Sequence, residues 1–225
     1  MPRVYSTTDK RVGVGKDQTT IHIRQVLGYG NENVVRNLVD VIKVSQRMVR
    51  FALNLEDLHK NELFLRYFCP NATIYARDIE VKVREVLTKV WNGIKADHGV
   101  KVADLGTSEG YVSTYPDRGG AQGEIHINRR HLLVGDEQSF GMSVIIYIHE
   151  ASHRFARTKD HGPRGYINGE GNYKATGLTA QEAWNNADSY GWFVWKVAQN
   201  EQDRLNKADK ADKAYKAYCL GNFAK

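Results

Sequence analysis

Cysteine is scarce: Cys69 and Cys219 are the only two in 225 residues. They form no CxxC pair and are too few for a disulfide scaffold, so two free thiols are expected. Long apolar runs are lacking as well. The strongest, Ser143 to Ile148, is far too short to span a bilayer, so no membrane partner is expected. Met1 to Gly15 carries charges but no apolar stretch, and no secretory signal peptide is visible. The expected location is therefore the cytoplasm, or a destination reached by signal-peptide-independent export. There is no long basic block either. The net charge is +6, but the 32 basic and 26 acidic residues are interspersed. Such a charge permits contact with nucleic acid or acidic surfaces but decides nothing alone, and nucleic acid is not the expected partner. What is present is ordinary for a soluble globular protein, with 41% hydrophobic and 26% charged residues. The length suits one domain, or one domain with an added helical arm.

Periodicity divides the chain. Thr20 to Arg24 alternates as a strand does. From Glu32 to about Leu65 the apolar residues Val34, Val35, Leu38, Val41, Ile42, Met48 and Ala52 recur at helical spacing, until Pro70 and Asn71 break the pattern. A second helix is predicted from Arg77 to Ala96. The period then shortens: Val100–Leu105, Gly110–Tyr115 and Glu124–Asn128 read as strands, with a turn at 116–120. A helix is predicted from about Ser139, as N-cap, to Arg157. A glycine-rich loop, 160–177, follows. Thr179 and Glu182 then make a capping-box pattern opening a helix through Trp184, Ala187, Tyr190, Phe193 and Val197. The Lys-Ala-Asp repeats of 207–216 read as a solvated helix or a frayed end.

One pattern on the third of these helices carries chemistry. His149-Glu150-Ala151-Ser152-His153 is H-E-x-x-H. Residues four apart share a helix face, so both imidazoles can hold one zinc ion, with Glu150 beside them to take a proton from water. With 8 His and 12 Glu in 225 residues, chance produces the pattern about 0.015 times per chain. Zinc needs a third protein ligand and an open position. The positions three and six beyond His153 are Ala156 and Lys159, which excludes the metzincin pattern. Asp160, where the chain leaves the helix, is the first candidate; His161 and Glu182 are the alternatives, although Glu182 already serves the capping box.

At this point the sequence resembles a family. His149-Glu150-x-x-His153 followed by Thr158-Lys159-Asp160 is similar to the aspzincins, the deuterolysin and lysine-specific metalloendopeptidase group, in which H-E-x-x-H is followed by G-T-x-D-x-x-Y-G. Tyr111 to Pro116 and Glu124 to Asn128 resemble the family's strands before the active-site helix, and Asn186-Ala187-Asp188-Ser189-Tyr190 its Asn-Ala-Asp-x-Tyr segment. The resemblance covers about residues 75 to 198. It implies that Asp160 is the third ligand, that Tyr166 or the substitute His161 donates to the developing oxyanion, and that Asp188 faces a basic side chain after the scissile bond. Three departures stand out: Arg157 replaces the family's glycine, the tyrosine lies six residues beyond Asp160 instead of three, and Gly191 stands where lysine-selective members carry a second acid. Asp188 equally fits a buried structural carboxylate.

The resulting expectation is an α+β, zincin-like metallopeptidase domain over 72–225, preceded by a helical region over 1–71 with no legible role. It is a zinc-dependent endopeptidase, with peptide or protein as substrate. Its zinc would sit on His149, His153 and Asp160, with Glu150 as general base and the strand around Ile125 pairing with the substrate backbone. The rival is a non-enzymatic basic module binding nucleic acid or protein, its zinc closed by four ligands. The remaining aromatic and histidine residues carry blander expectations. His126 is an exposed strand histidine; Trp184, Trp192, Phe193 and Trp195 are core or interface; His22, His59, His98 and His131 show no ligand spacing.

Overall fold

A computed structural model describes residues 5–12, 18–26, 32–70, 76–115, 121–133, 136–167 and 177–209. Five strands form one mixed sheet: β1 (Tyr5–Val12), β2 (Thr19–Val26), β3 (His98–Ala103), β4 (Gly110–Tyr115) and β5 (Ala121–Asn128). Their order is β1-β2-β3-β5-β4. β2, β3 and β5 run parallel, while β1 and β4 pair antiparallel at the two edges. Strand alternation selects one face for burial. Ile21, Ile23, Val100, Val102, Ile125 and Ile127 all point into the core.

Helices α1 (Glu32–Asn54), α3 (Ala76–Lys95) and α5 (Glu137–Ala156) supply the other side of that core, with α7 (Ala187–Asp209) against α5. The shorter α2 (Glu62–Phe68), α4 (Arg130–Leu133) and α6 (Ala180–Ala183) join them. The architecture is the expected α+β. The N-terminal region, expected to be helical, also contributes β1 and β2 to the sheet, and residues on both sides of position 71 share one core.

Three helix ends differ from the sequence reading. The first helix stops at Asn54 rather than Leu65, because Asp57 takes a left-handed conformation (φ 43°) and Leu58–Lys60 forms a 3-10 turn. Asn61 then caps α2, accepting from the backbone N–H groups of Leu63 and Phe64. The apolar period gives no warning, since Leu58, Phe64 and Phe68 continue it and are fully buried. Asp136, not Ser139, caps α5, its carboxylate accepting from Ser139 N at 2.8 Å. The capping box at Thr179 and Glu182 forms as expected, but it opens only the single turn of α6, and α7 starts afresh at Ala187.

Candidate metal centre

The middle of α5 is apolar all round, with Val144 to Ile148, and Ala151 beyond them, buried where the helix meets β5, α1, α3 and α7. That burial fixes the rotation of the helix. His149 and His153, one turn apart, meet edge to face with ring centres 4.8 Å apart. The helix ends at Arg157, in the left-handed region (φ 59°, ψ 36°), its N–H bonded to His153 O. This is the conformation for which glycine is preferred. Arg157 adopts it too, so the departure at this position leaves the backbone path open.

Beyond the turn, Thr158 packs its hydroxyl on Ser152 (2.7 Å). Lys159 pairs with the Asn185–Ala187 segment: Lys159 N donates to Asn185 O, and Ala187 N to Lys159 O. Asp160 thereby arrives opposite both histidines. Its Oδ1 lies 3.3 Å from His149 Nε2 and 3.3 Å from His153 Nε2, and the two Nε2 atoms are 3.1 Å apart.

These three atoms fit a zinc ion. Bonds of about 2.0–2.1 Å in tetrahedral geometry place ligand atoms about 3.3–3.4 Å apart. The tautomers agree. Thr158 O can only accept, so His153 Nδ1 (2.8 Å away) must carry the proton. Asp188 Oδ1, 3.3 Å from His149 Nδ1, likewise accepts. Both Nε2 atoms of the neutral rings are then lone pairs, turned toward one another and toward a carboxylate. Such a triangle calls for a cation at its centre. The electrostatics call for positive charge at the same place, and a second proton on His149 supplies it whenever no cation is bound. Burial pulls the His149 imidazole down, but Asp160 and Asp188, helped by Glu150, push it up to about 10. Hydrogen bonds from His149 and His153 hold the Asp160 carboxyl far below the usual range.

The remaining expected site residues separate sharply. Glu150 is buried in the cavity wall, with Oε1 3.9 Å from His149 Nε2 and Oε2 without a hydrogen-bond partner. Burial raises its pKa against the pull of His149 and His153. Tyr166 lines the same cavity, and burial, then Asp160, raises its pKa, keeping its phenol protonated. His161 does not line the cavity; it precedes the 3-10 turn Gly162–Arg164. Glu182 is committed elsewhere, to Thr179 and to Arg164 at 2.8 Å. Asp188 is buried with both oxygens used, Oδ1 on His149 and Oδ2 accepting from Ile167 N at 2.6 Å.

Two expectations about the sheet are corrected. Ile125 is fully buried, and β5 is flanked by β3 and β4 on its two sides, so it has no free edge for a substrate. Among the described residues, the strand with an unpaired edge beside the site is β4. At its start, Gly110 passes so close that an added Cβ would lie 2.9 Å from Glu150 Oε1. His126 is not exposed; it is buried under Tyr111, stacked at 4.1 Å. Burial, reinforced by Lys101 and Arg24, lowers its pKa to about 4. Both errors have one source: strand alternation reports which face is wet and says nothing about which strand is outermost.

Sequence reasoning also missed residues. Asn186 donates to Gly165 O at 2.8 Å and bonds Ser189, tying the loop after Asp160 to α7. With Ala187 and Asp188 it explains the Asn-Ala-Asp segment physically, since each of the three anchors the ligand loop. Trp192 and Trp195 are half-buried cavity walls, whereas Phe193 is core. Their spacing from Asp188, four and seven residues along a helix, was the available signal. Cys69 is free and buried, and burial pushes its thiol up to about 11; Cys219 lies outside the described residues.

No family model matches this chain, and no curated protein matches it. Among solved structures, a zinc peptidase from Grifola frondosa is similar, with a TM-score of 0.50 at 18% identity, covering 72% of this chain and 94% of that one. At that identity the likeness establishes a shared fold. The chain therefore has the α+β fold of a zinc peptidase, with a His149–His153–Asp160 cluster at the C-terminal end of α5.

Proposed function

We propose that this protein is a zinc-dependent endopeptidase of the aspzincin kind. The observation that carries the reading is a buried carboxylate, Glu150, in the wall of the cavity that holds the three-ligand cluster, with Oε1 3.9 Å from His149 Nε2. A zinc ion on His149, His153 and Asp160 would supply Lewis-acid chemistry, acidifying water and polarising a peptide carbonyl. Glu150 takes the proton of the attacking water and returns it to the leaving amine. Its burial keeps the carboxylate from bulk water, and its raised pKa suits it to both tasks. Tyr166, protonated and in the cavity, donates to the developing oxyanion. The free edge of β4 pairs with the extended substrate backbone. The residues before 72 act as scaffold, with β2 extending the sheet and α1 packed against α5.

A basic preference after the scissile bond finds no free carboxylate at Asp188, which is spent on His149 and Ile167, so it forms no part of this reading. The non-enzymatic alternative needs a fourth ligand to close the zinc site. Among the described residues no fourth His, Cys, Asp or Glu joins the cluster. No described helix is long and apolar enough to cross a membrane.

The test is hydrolysis of a mixed peptide library by zinc-loaded protein, with Glu150→Gln as control. Glu150→Gln is expected to keep its zinc and lose nearly all hydrolysis. Cleavage by Glu150→Gln at the wild-type rate would rule out this mechanism.

A further inference from the structure

The cavity does not end at the metal cluster. From His149 and Asp188 it continues along the seam between α5 and α7, with a volume of about 1100 Å³. Along α5, Ile145, Met142 and Gln138 lie roughly one, two and three turns back from His149. Along α7, Trp192, Trp195 and Gln199 lie one, two and three turns on from Asp188. Three turns make this trough about 16 Å long, enough for the side chains of an extended peptide at about 3.3 Å per residue.

Two glycines give the trough its shape. At Gly191 an added Cβ would lie 2.7 Å from Ile145 O, so α5 and α7 touch there and no side chain enters. An acid at that position would not fit this helix spacing. At Gly141 an added Cβ would meet the Trp195 ring at 2.7 Å, so the indole rests directly on the α5 backbone. The seam next to the cluster is therefore walled by Ile145, Met142 and two indoles.

Charge is confined to the ends and the far side. Asp188 has both oxygens engaged. Glu109, on the opposite wall, is held by Arg130 at 2.6 Å and by His131. Glu137 is exposed in the first turn of α5, at the end remote from the metal cluster. A lysine side chain placed along the seam would lose its hydration among Ile145, Met142 and the two indoles, with Glu150 and Asp160 reserved for the metal cluster. A large apolar one would displace poorly held water and meet flat, adaptable surfaces.

We propose that the α5–α7 seam is the specificity subsite, taking a large apolar side chain of Phe, Leu or Met size adjacent to the scissile bond, with Trp192 and Met142 determining that choice. This rests on the peptidase reading, and the test separates the two. Zinc-loaded wild type is profiled on the peptide library. In parallel, uncleaved binding of two hexapeptides, identical except for Phe or Lys at one position, is measured with Glu150→Gln by tryptophan fluorescence. The expected profile is enriched in large apolar residues at one position flanking the cut and depleted in Lys and Arg. The expected binding is about tenfold tighter for the Phe peptide. Trp192→Ala should abolish that ratio, and Met142→Glu should turn it toward Lys; agreement of either properly folded variant suffices. A profile that favours basic residues, or Phe and Lys peptides bound equally, overturns the subsite while leaving the peptidase standing. No cleavage of any peptide, with Phe still bound tighter by Glu150→Gln, overturns the peptidase and keeps the apolar subsite.

Discussion

His149 and His153 can offer Nε2 to a metal because their Nδ1 protons are taken, one by Asp188 and the other by Thr158 O. Those outer partners set ring orientation and basicity, and their loss typically weakens metal binding about 10- to 100-fold. Asp188→Asn is therefore expected to weaken zinc by that factor, Asp160→Ala to lose most of it, and Glu182→Ala to keep it while losing about 1 kcal/mol of capping. Competitive zinc titration of the three purified variants decides this; an Asp188→Asn protein that binds zinc like wild type would return Asp188 to a purely structural role. At the same scale, Arg157 holds a left-handed conformation that costs an L residue about 1–2 kcal/mol. Arg157→Gly should raise stability by up to about 1 kcal/mol, while Arg157→Val should lower it. Urea midpoints of both variants test this, and equal midpoints would mean that the turn carries no such strain.

At the scale of elements, one buried contact joins the sheet to the site helix. His98 on β3 donates from Nδ1 to Ala96 O (2.8 Å), and its Nε2 accepts from the hydroxyl of Tyr147 on α5 (2.7 Å). Burial lowers the His98 pKa to about 4, with the Ala96 carbonyl opposing and Arg154 assisting. Tyr147 is pushed well above the usual phenol range by its own burial. A histidine depressed in the folded state contributes stability that is fully present above its unfolded pKa of about 6.5 and is lost as pH falls toward about 4. The slope in that window approaches about 1.4 kcal/mol per pH unit. His98→Leu leaves the Tyr147 hydroxyl unpaired, costing about 1–3 kcal/mol at neutral pH. The stability gap between wild type and variant should shrink from pH 7.5 to pH 5, as read by urea unfolding at each pH; a gap independent of pH would refute it.

How much of this was legible depends on whether a signal is local. The H-E-x-x-H pattern, the capping box and the limits of β4 are short-range, and each emerged from a few neighbouring letters. Strand order is a property of pairings far apart in the sequence, such as Ile21 with His98 and Val100 with Ile125, so the strand offered to substrate is read as β5 when the unpaired edge among the described residues belongs to β4. The same limit hid the apolar seam. Nothing near Gly191 in the sequence says that its missing Cβ is filled by Ile145 O from another helix.

For the whole molecule, the cluster depends on residues far outside its own segment. β2 pairs along β3, and Val34, Leu38, Val41, Ile42 and Val49 of α1 enter the core that also holds Val144, Ile146 and Ile148 of α5. Each such side chain contributes roughly 1.5–3 kcal/mol on burial, against total stabilities of only about 5–15 kcal/mol. Removing residues 1–71 would strip β3 of one neighbour and uncover the α5 face that fixes the rotation of His149 and His153. The remaining chain, although it contains every ligand, is therefore expected to lose cooperative unfolding and to bind zinc at least about tenfold more weakly. Circular dichroism melts and zinc titration of 72–225 beside the full chain make the comparison. A truncated protein that melts cooperatively and binds zinc as the full chain does would show that the first 71 residues are an appendage to the core, not a part of it.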